Sequence, residues 1–123
     1  MSDVENIQKK IRQFCDERDR MQFHNPKDMA TAISIEAAEV QKIFLWRTPA
    51  ESAQVGALKK EQVQDEIADI AVYLFELADS LDIDLIEIME AKLVKNAKKY
   101  PAERVRGSSN KYTEYLQKGE ITE

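Results

Sequence analysis

Four carboxylates lie inside the apolar stripes of two amphipathic segments, and this placement constrains the chain more than any other feature. Glu36 and Glu39 form one ExxE step, and Glu66 and Asp69 form a later ExxD step. Residues three apart on a helix share a face, with Cβ atoms about 5–6 Å apart, so each step aims two carboxylates at one place. Burying such charge is costly unless something cationic holds it. Two antiparallel helices would gather the pairs around a common site, and carboxylate oxygens suit hard ions such as Mg²⁺ or Mn²⁺. Spacing alone also admits an ordinary acidic helix surface. A di-iron carboxylate bundle is excluded more firmly: it needs Glu-x-x-His steps, and the single histidine, His24, belongs to none.

The surrounding pattern predicts an all-α, four-helix bundle-like chain. Val4, Ile7, Ile11 and Phe14 recur at helical spacing in a first segment from about Asp3 to Met21. Asn25-Pro26 then reads as an N-cap followed by proline at the first helical position. The second helix is expected to reach about Trp46, with Met29, Ile33, Val40 and Ile43 or Phe44 inside. Residues 48–59 read as a connector with weak periodicity and room for a short helix. A third long helix spans about Lys60 to Leu81, with Val63, Ile67, Ile70, Leu74, Leu77 and Leu81 inward. Asp82 or Asp84 can cap a fourth, whose buried positions are Leu85, Ile88, Met89, Leu93 and Ala97 and which Pro101 ends. A short turn or extended piece is expected over 111–116.

With 123 residues the chain is expected to form one domain, with a polar tail from about residue 102. Three Gly and three Pro leave little material for hairpins. The polar first ten residues carry no signal-peptide pattern, and no apolar run approaches the roughly 20 residues that cross a bilayer. One cysteine, Cys15, cannot form an internal disulfide, which suits a cytoplasmic location. Cys15 belongs to no His- or Asp-containing nucleophile signature and reads as buried and inert.

The net charge of −5 argues against general nucleic-acid binding, and its distribution is uneven. Residues 61–90 hold ten acids and no Lys or Arg; residues 92–111 hold seven bases against one acid, Glu103. That contrast reads either as two solvated faces or as an acidic metal-holding helix beside a segment that meets an anion.

The runs ERDRMQFHNP, IEAAEVQKIFLW, DEIADIAVYLFELA, KLVKNAKKYP and SSNKYTEY together resemble the MazG-like nucleotide pyrophosphohydrolases, most closely their dCTP pyrophosphatase branch. The likeness runs from about Ile7 to Tyr115. It implies cleavage of nucleoside triphosphates between the α and β phosphates, with Mg²⁺, to a monophosphate and pyrophosphate. By the same resemblance Glu36, Glu39, Glu66 and Asp69 occupy catalytic metal-ligand positions. Trp46 and Tyr73 fall where the family meets base or sugar, and Lys92, Asn96, Tyr100, Lys111 and Tyr112 match pieces that lie near the phosphates. Arg20 and His24 belong to the N-terminal nucleotide-holding stretch. A homo-oligomer is implied, a dimer or a tetramer of paired dimers with sites shared between chains. Two positions that carry His and Trp in dCTP-specific relatives are here Ile11 and Arg20, and a Glu after the ExxE step is here Lys42. These departures leave open which base is preferred. They also keep a second reading alive, a nucleotide-sensing or interaction module without turnover.

Overall fold

In the computed structural model residues 1–107 are described, and among them every regular element is a helix. α1 spans Asp3–Glu17, α2 Pro26–Phe44, α3 Pro49–Leu58, α4 Lys60–Ser80, α5 Leu85–Lys99 and α6 Ala102–Val105, with a 3₁₀ turn at Met21–Phe23. The chain forms two compact units, Met1–Ile83 and Asp84–Glu123. No helix among the described residues is long and apolar enough to cross a membrane.

The first unit is built on α4. α2 packs along most of its length, and α1 and α3 rest on it over shorter stretches. The pairing is antiparallel, because His24 at the start of α2 meets Glu76 late in α4, whereas Glu36 lies with Glu66, well before it. α1 crosses the C-terminal end of α4 in the same sense. Arg12 grips Asp79, and Cys15, about one turn on, meets Glu76, about one turn back. The Arg12 guanidinium holds the Asp79 carboxyl below the usual range. Where these helices meet, Ile11, Cys15, Met29 and Ala78 are buried; Ile43 and Val55 fill the far end.

Local chemistry sets the boundaries. Ser2 caps α1 by accepting the Glu5 amide, and Asp19, at φ 52°, lies beyond its end in the left-handed region that Asp tolerates. The first helix therefore closes at Glu17, short of the expected Met21. Asn25 caps α2 by accepting the Asp28 amide at 2.9 Å, its side-chain amide donates to the Asp28 carboxylate, and Pro26 begins the helix. Asn25→Ala is expected to cost about 1 kcal/mol of stability, read as a lower urea midpoint, because an orphan amide loses its acceptor. The connector holds a ten-residue helix, α3, opened by a capping box: Thr48 Oγ1 accepts the Glu51 amide, and Glu51 accepts the Thr48 amide. Of the two aspartates considered, Asp84 caps α5, through the Glu87 amide at 3.0 Å.

The apolar stripes are broader than one chain covers. Ile67, Leu74 and Leu81 on or just after α4 are exposed rather than inward, and so are Ile88, Met89 and Leu93 of α5. Leu85 alone of the expected α5 core is buried.

Candidate active site

The antiparallel pairing of α2 and α4 turns the two sequence steps into one place. The carboxylate oxygens of Glu36, Glu66 and Asp69 come within 4.8 Å of one another, Glu36 and Glu66 half-buried and Asp69 exposed at the rim. Glu39, one turn further along α2, lies outside this three-way group and forms an ion pair with Lys42 at 3.4 Å. Crowding of like charge is felt at Glu66. Its carboxyl is pushed above the usual range, first by the hydrogen bond with Glu36, then by partial burial and by the charges of Glu36, Asp69 and Glu39. Oxygen donors that repel one another until a cation arrives suit a hard divalent ion.

Asp69 also lines an open cleft of about 210 Å³ with Phe14, Cys15, Arg20, Val72, Tyr73 and Glu76, closed at one side by His24. Tyr73 follows Asp69 by one helical turn, so both look out from the same face of α4. A second hollow of about 180 Å³, lined by Phe23, Asp28, Met29 and Ala32, shares Arg20, His24 and Tyr73 with the first. Three residues assigned from sequence to substrate thus converge beside the carboxylates. Ile11 is buried and presents little surface here; Arg20 is exposed at the cleft.

Within the first unit, one further assigned residue stands apart from this cleft. Trp46 is 91% exposed just beyond α2, in a left-handed backbone conformation (φ 64°), and borders a separate broad hollow with Ala38, Gln41 and Phe44. Lys92, Asn96 and Tyr100 recur every four residues along α5 and its C-terminal end, on one face of the second unit. Lys111 and Tyr112, like the turn or extended piece expected over 111–116, lie outside the described residues.

One cleft residue, Glu76, escapes the sequence reading, and Cys15, buried as expected, has partners that its sequence does not announce. Glu76 interrupts the apolar run Leu74-Phe75-Glu76-Leu77, and its side chain is only 9% exposed. One oxygen accepts the Cys15 thiol at 3.2 Å; the other lies 3.1 Å from His24 Nδ1 without an aligned hydrogen bond. A charge embedded in an apolar stripe is the signal that marks it. Cys15 does have a histidine beside it, contrary to its sequence neighbourhood, because the turn at 21–23 folds His24 back. Burial, and then Glu76, push its thiol up to about 11, so it stays protonated and unreactive at neutral pH.

Residues 31–115 match the MazG-like family. The chain belongs to that family. Among curated MazG-like relatives, human dCTP pyrophosphatase 1 is 36% identical over 98% of this chain and 71% of its own length. The mouse dCTP pyrophosphatase 1 is 34% identical over the same shares. A crystal structure of a pyrophosphatase from Archaeoglobus fulgidus superposes with a TM-score of 0.79 at 39% identity, covering 82% of this chain and 94% of that one. The all-α MazG-like fold is therefore the fold of this chain, and its activity class is that of a nucleotide pyrophosphohydrolase.

Proposed function

We propose that this MazG-like chain hydrolyses a nucleoside triphosphate, dCTP or a related deoxynucleotide, to the monophosphate and pyrophosphate in a Mg²⁺-dependent reaction. One observation carries the reading: Glu36, Glu66 and Asp69 converge, and Asp69 opens onto the cleft of Arg20, His24 and Tyr73. The donor set is all oxygen and mutually repulsive, which fits Mg²⁺, with Mn²⁺ as the alternative. Glu36, Glu66 and Asp69 would hold the ion, and Glu39 would stand next to them. When bound, Mg²⁺ neutralises phosphate charge and orients the reacting group.

The chain's own groups do the rest. Glu36 or Glu39 would orient a water and take its proton, and Glu39, paired with Lys42 and set back from the three-way group, is the one we favour. The water oxygen bonds to the α phosphorus, the α–β bridging bond breaks, and pyrophosphate leaves. Arg20 meets a phosphate or base edge, His24 and Tyr73 wall the nucleoside, and the Lys92–Asn96–Tyr100 face serves the phosphates. Among the described residues, the hollow that Trp46 borders is separate from the cleft of Arg20, His24 and Tyr73. In a homo-oligomer with shared sites, for which the exposed apolar residues of α4 and α5 provide surface, Trp46 would stack on the nucleoside of a neighbouring copy.

The test is a panel of dNTPs with Mg²⁺, followed by pyrophosphate assay and product analysis. Pyrophosphate and a monophosphate are expected. Binding without release from any nucleotide would favour the sensing module instead, and inorganic phosphate as product would overturn the α–β assignment. Trp46→Ala is expected to raise KM about 10-fold, the scale of one lost base stack. An unchanged KM across the panel would make the indole purely structural.

A further inference from the structure

Of the Cys15–His24–Glu76 cluster only His24 has a part in the chemistry above, yet the three unite a sulfur, an imidazole nitrogen and a carboxylate from three separate segments. Sγ lies 3.2 Å from one Glu76 oxygen and 3.8 Å from His24 Nδ1, and Nδ1 lies 3.1 Å from the other oxygen. All three donors fall within 4.8 Å of one another. Donors about 2.0–2.3 Å from a tetrahedral zinc ion stand roughly 3.3–3.6 Å apart, a spacing close to what one atom from each of these three residues already keeps within 4.8 Å.

A second observation points to a ligand independently. The Glu76 side chain is more than nine-tenths buried, and its Oε2 has no aligned hydrogen-bond donor. A native fold rarely leaves a buried carboxylate oxygen in that state. Sulfur and imidazole also separate this cluster from the all-oxygen group two turns away on α4, since they select zinc-class ions over Mg²⁺.

We propose that Cys15, His24 and Glu76 bind a zinc-class divalent cation through one sulfur, one ring nitrogen and one carboxylate oxygen, with a fourth position open to the cleft. Binding replaces the Cys15 S–H bond by a sulfur–metal bond, and the proton passes to solvent. His24 presents the Nδ1 lone pair, so its proton sits on Nε2, the nitrogen left for contact with a nucleotide. Arg20 faces the same cleft, and its positive charge opposes the cation. The site is thus weaker than a closed structural zinc centre and exchanges its ion with solvent.

Co²⁺ is the probe, titrated into the full chain with Mg²⁺ in excess to occupy the carboxylate group. A near-ultraviolet sulfur-to-cobalt absorption band is expected, and Zn²⁺ should displace it. Cys15→Ser should remove the band with the helical circular dichroism kept. Glu76→Gln should retain it at about 10-fold or weaker affinity. No sulfur band with Co²⁺ in excess, a band that persists in Cys15→Ser, or unchanged Co²⁺ affinity in Glu76→Gln would each overturn the site. The parent titration decides the matter even if a variant folds poorly. It also leaves the triphosphate reading untouched, since it measures no turnover.

Discussion

Asp69→Asn is expected to lower Mg²⁺-dependent pyrophosphate release by at least about 100-fold, the scale of losing one key electrostatic group from an active site. The same change should raise the melting temperature of the metal-free protein. Both effects come from the convergence of Glu36, Glu66 and Asp69, with Glu39 close behind. Without a cation the group stores repulsion, seen in the raised carboxyl of Glu66. The sign of the pH effect follows. Native Glu66 keeps its proton to higher pH than an unfolded glutamate, whose value is near 4.5. Its contribution to stability is therefore complete below that value and is lost as pH rises through the raised native one. Metal-free protein should melt at lower temperature as pH climbs across this window; Mg²⁺ should reverse the loss, and Asp69→Asn should flatten it. Thermal melts in chelator at a series of pH values, beside a pyrophosphate assay, check both halves. Near-normal turnover in the variant would sink the metal assignment, and an unchanged pH slope would sink the repulsion argument.

Met29→Ala is the change expected to cost most in stability, about 2–5 kcal/mol. Met29 is 2% exposed and sits where α1, α2 and α4 meet, against a small hollow it shares with Ile11, His24 and Glu76. Truncation would enlarge that hollow, and helices fixed by the Arg12–Asp79 pair and the Asn25 cap have little freedom to close it. Against a total of about 5–15 kcal/mol, the loss would leave a substantial unfolded fraction. Met29→Leu should cost under about 1.5 kcal/mol, because volume is conserved. Urea unfolding followed by far-ultraviolet circular dichroism reads the difference, with an unchanged denaturant slope. Tryptophan emission would be a poor probe, since Trp46 is already in solvent. An Ala variant with the parent midpoint would show that the junction is not tightly packed.

What the sequence revealed depended on how local its cause was. Asn25-Pro26 marks the start of α2 because cap and proline act within one turn, and the ExxE and ExxD steps predict a shared face because helical spacing alone sets it. The capping box of α3 is equally local, in Thr48, Pro49 and Glu51, but with weak apolar periodicity the sequence leaves this stretch only room for a short helix and no boundaries. Non-local facts stayed out of reach. Nothing near Cys15 announces Glu76, 61 residues away. Nor do the apolar stripes of α4 and α5 tell which of their residues one chain can cover, so Ile67, Leu74, Met89 and Leu93 read as core and prove exposed. The partial separation of Glu39 from its three neighbours likewise depends on Lys42, whose ion pair is a matter of side-chain direction rather than spacing.

Trp46 combines two features that ordinarily oppose persistence in a protein, a left-handed backbone at a bulky residue and an indole almost wholly in water. Glycine would adopt the same backbone without the steric penalty of roughly 1–2 kcal/mol. A laboratory selection for heat tolerance alone would therefore be drawn to this position and would discard the ring. A selection for nucleotide turnover would pull the other way if the indole serves the nucleoside as proposed. Position 46 is thus where the two kinds of directed evolution should part company, and the residue each one leaves there would record what the natural chain was kept for.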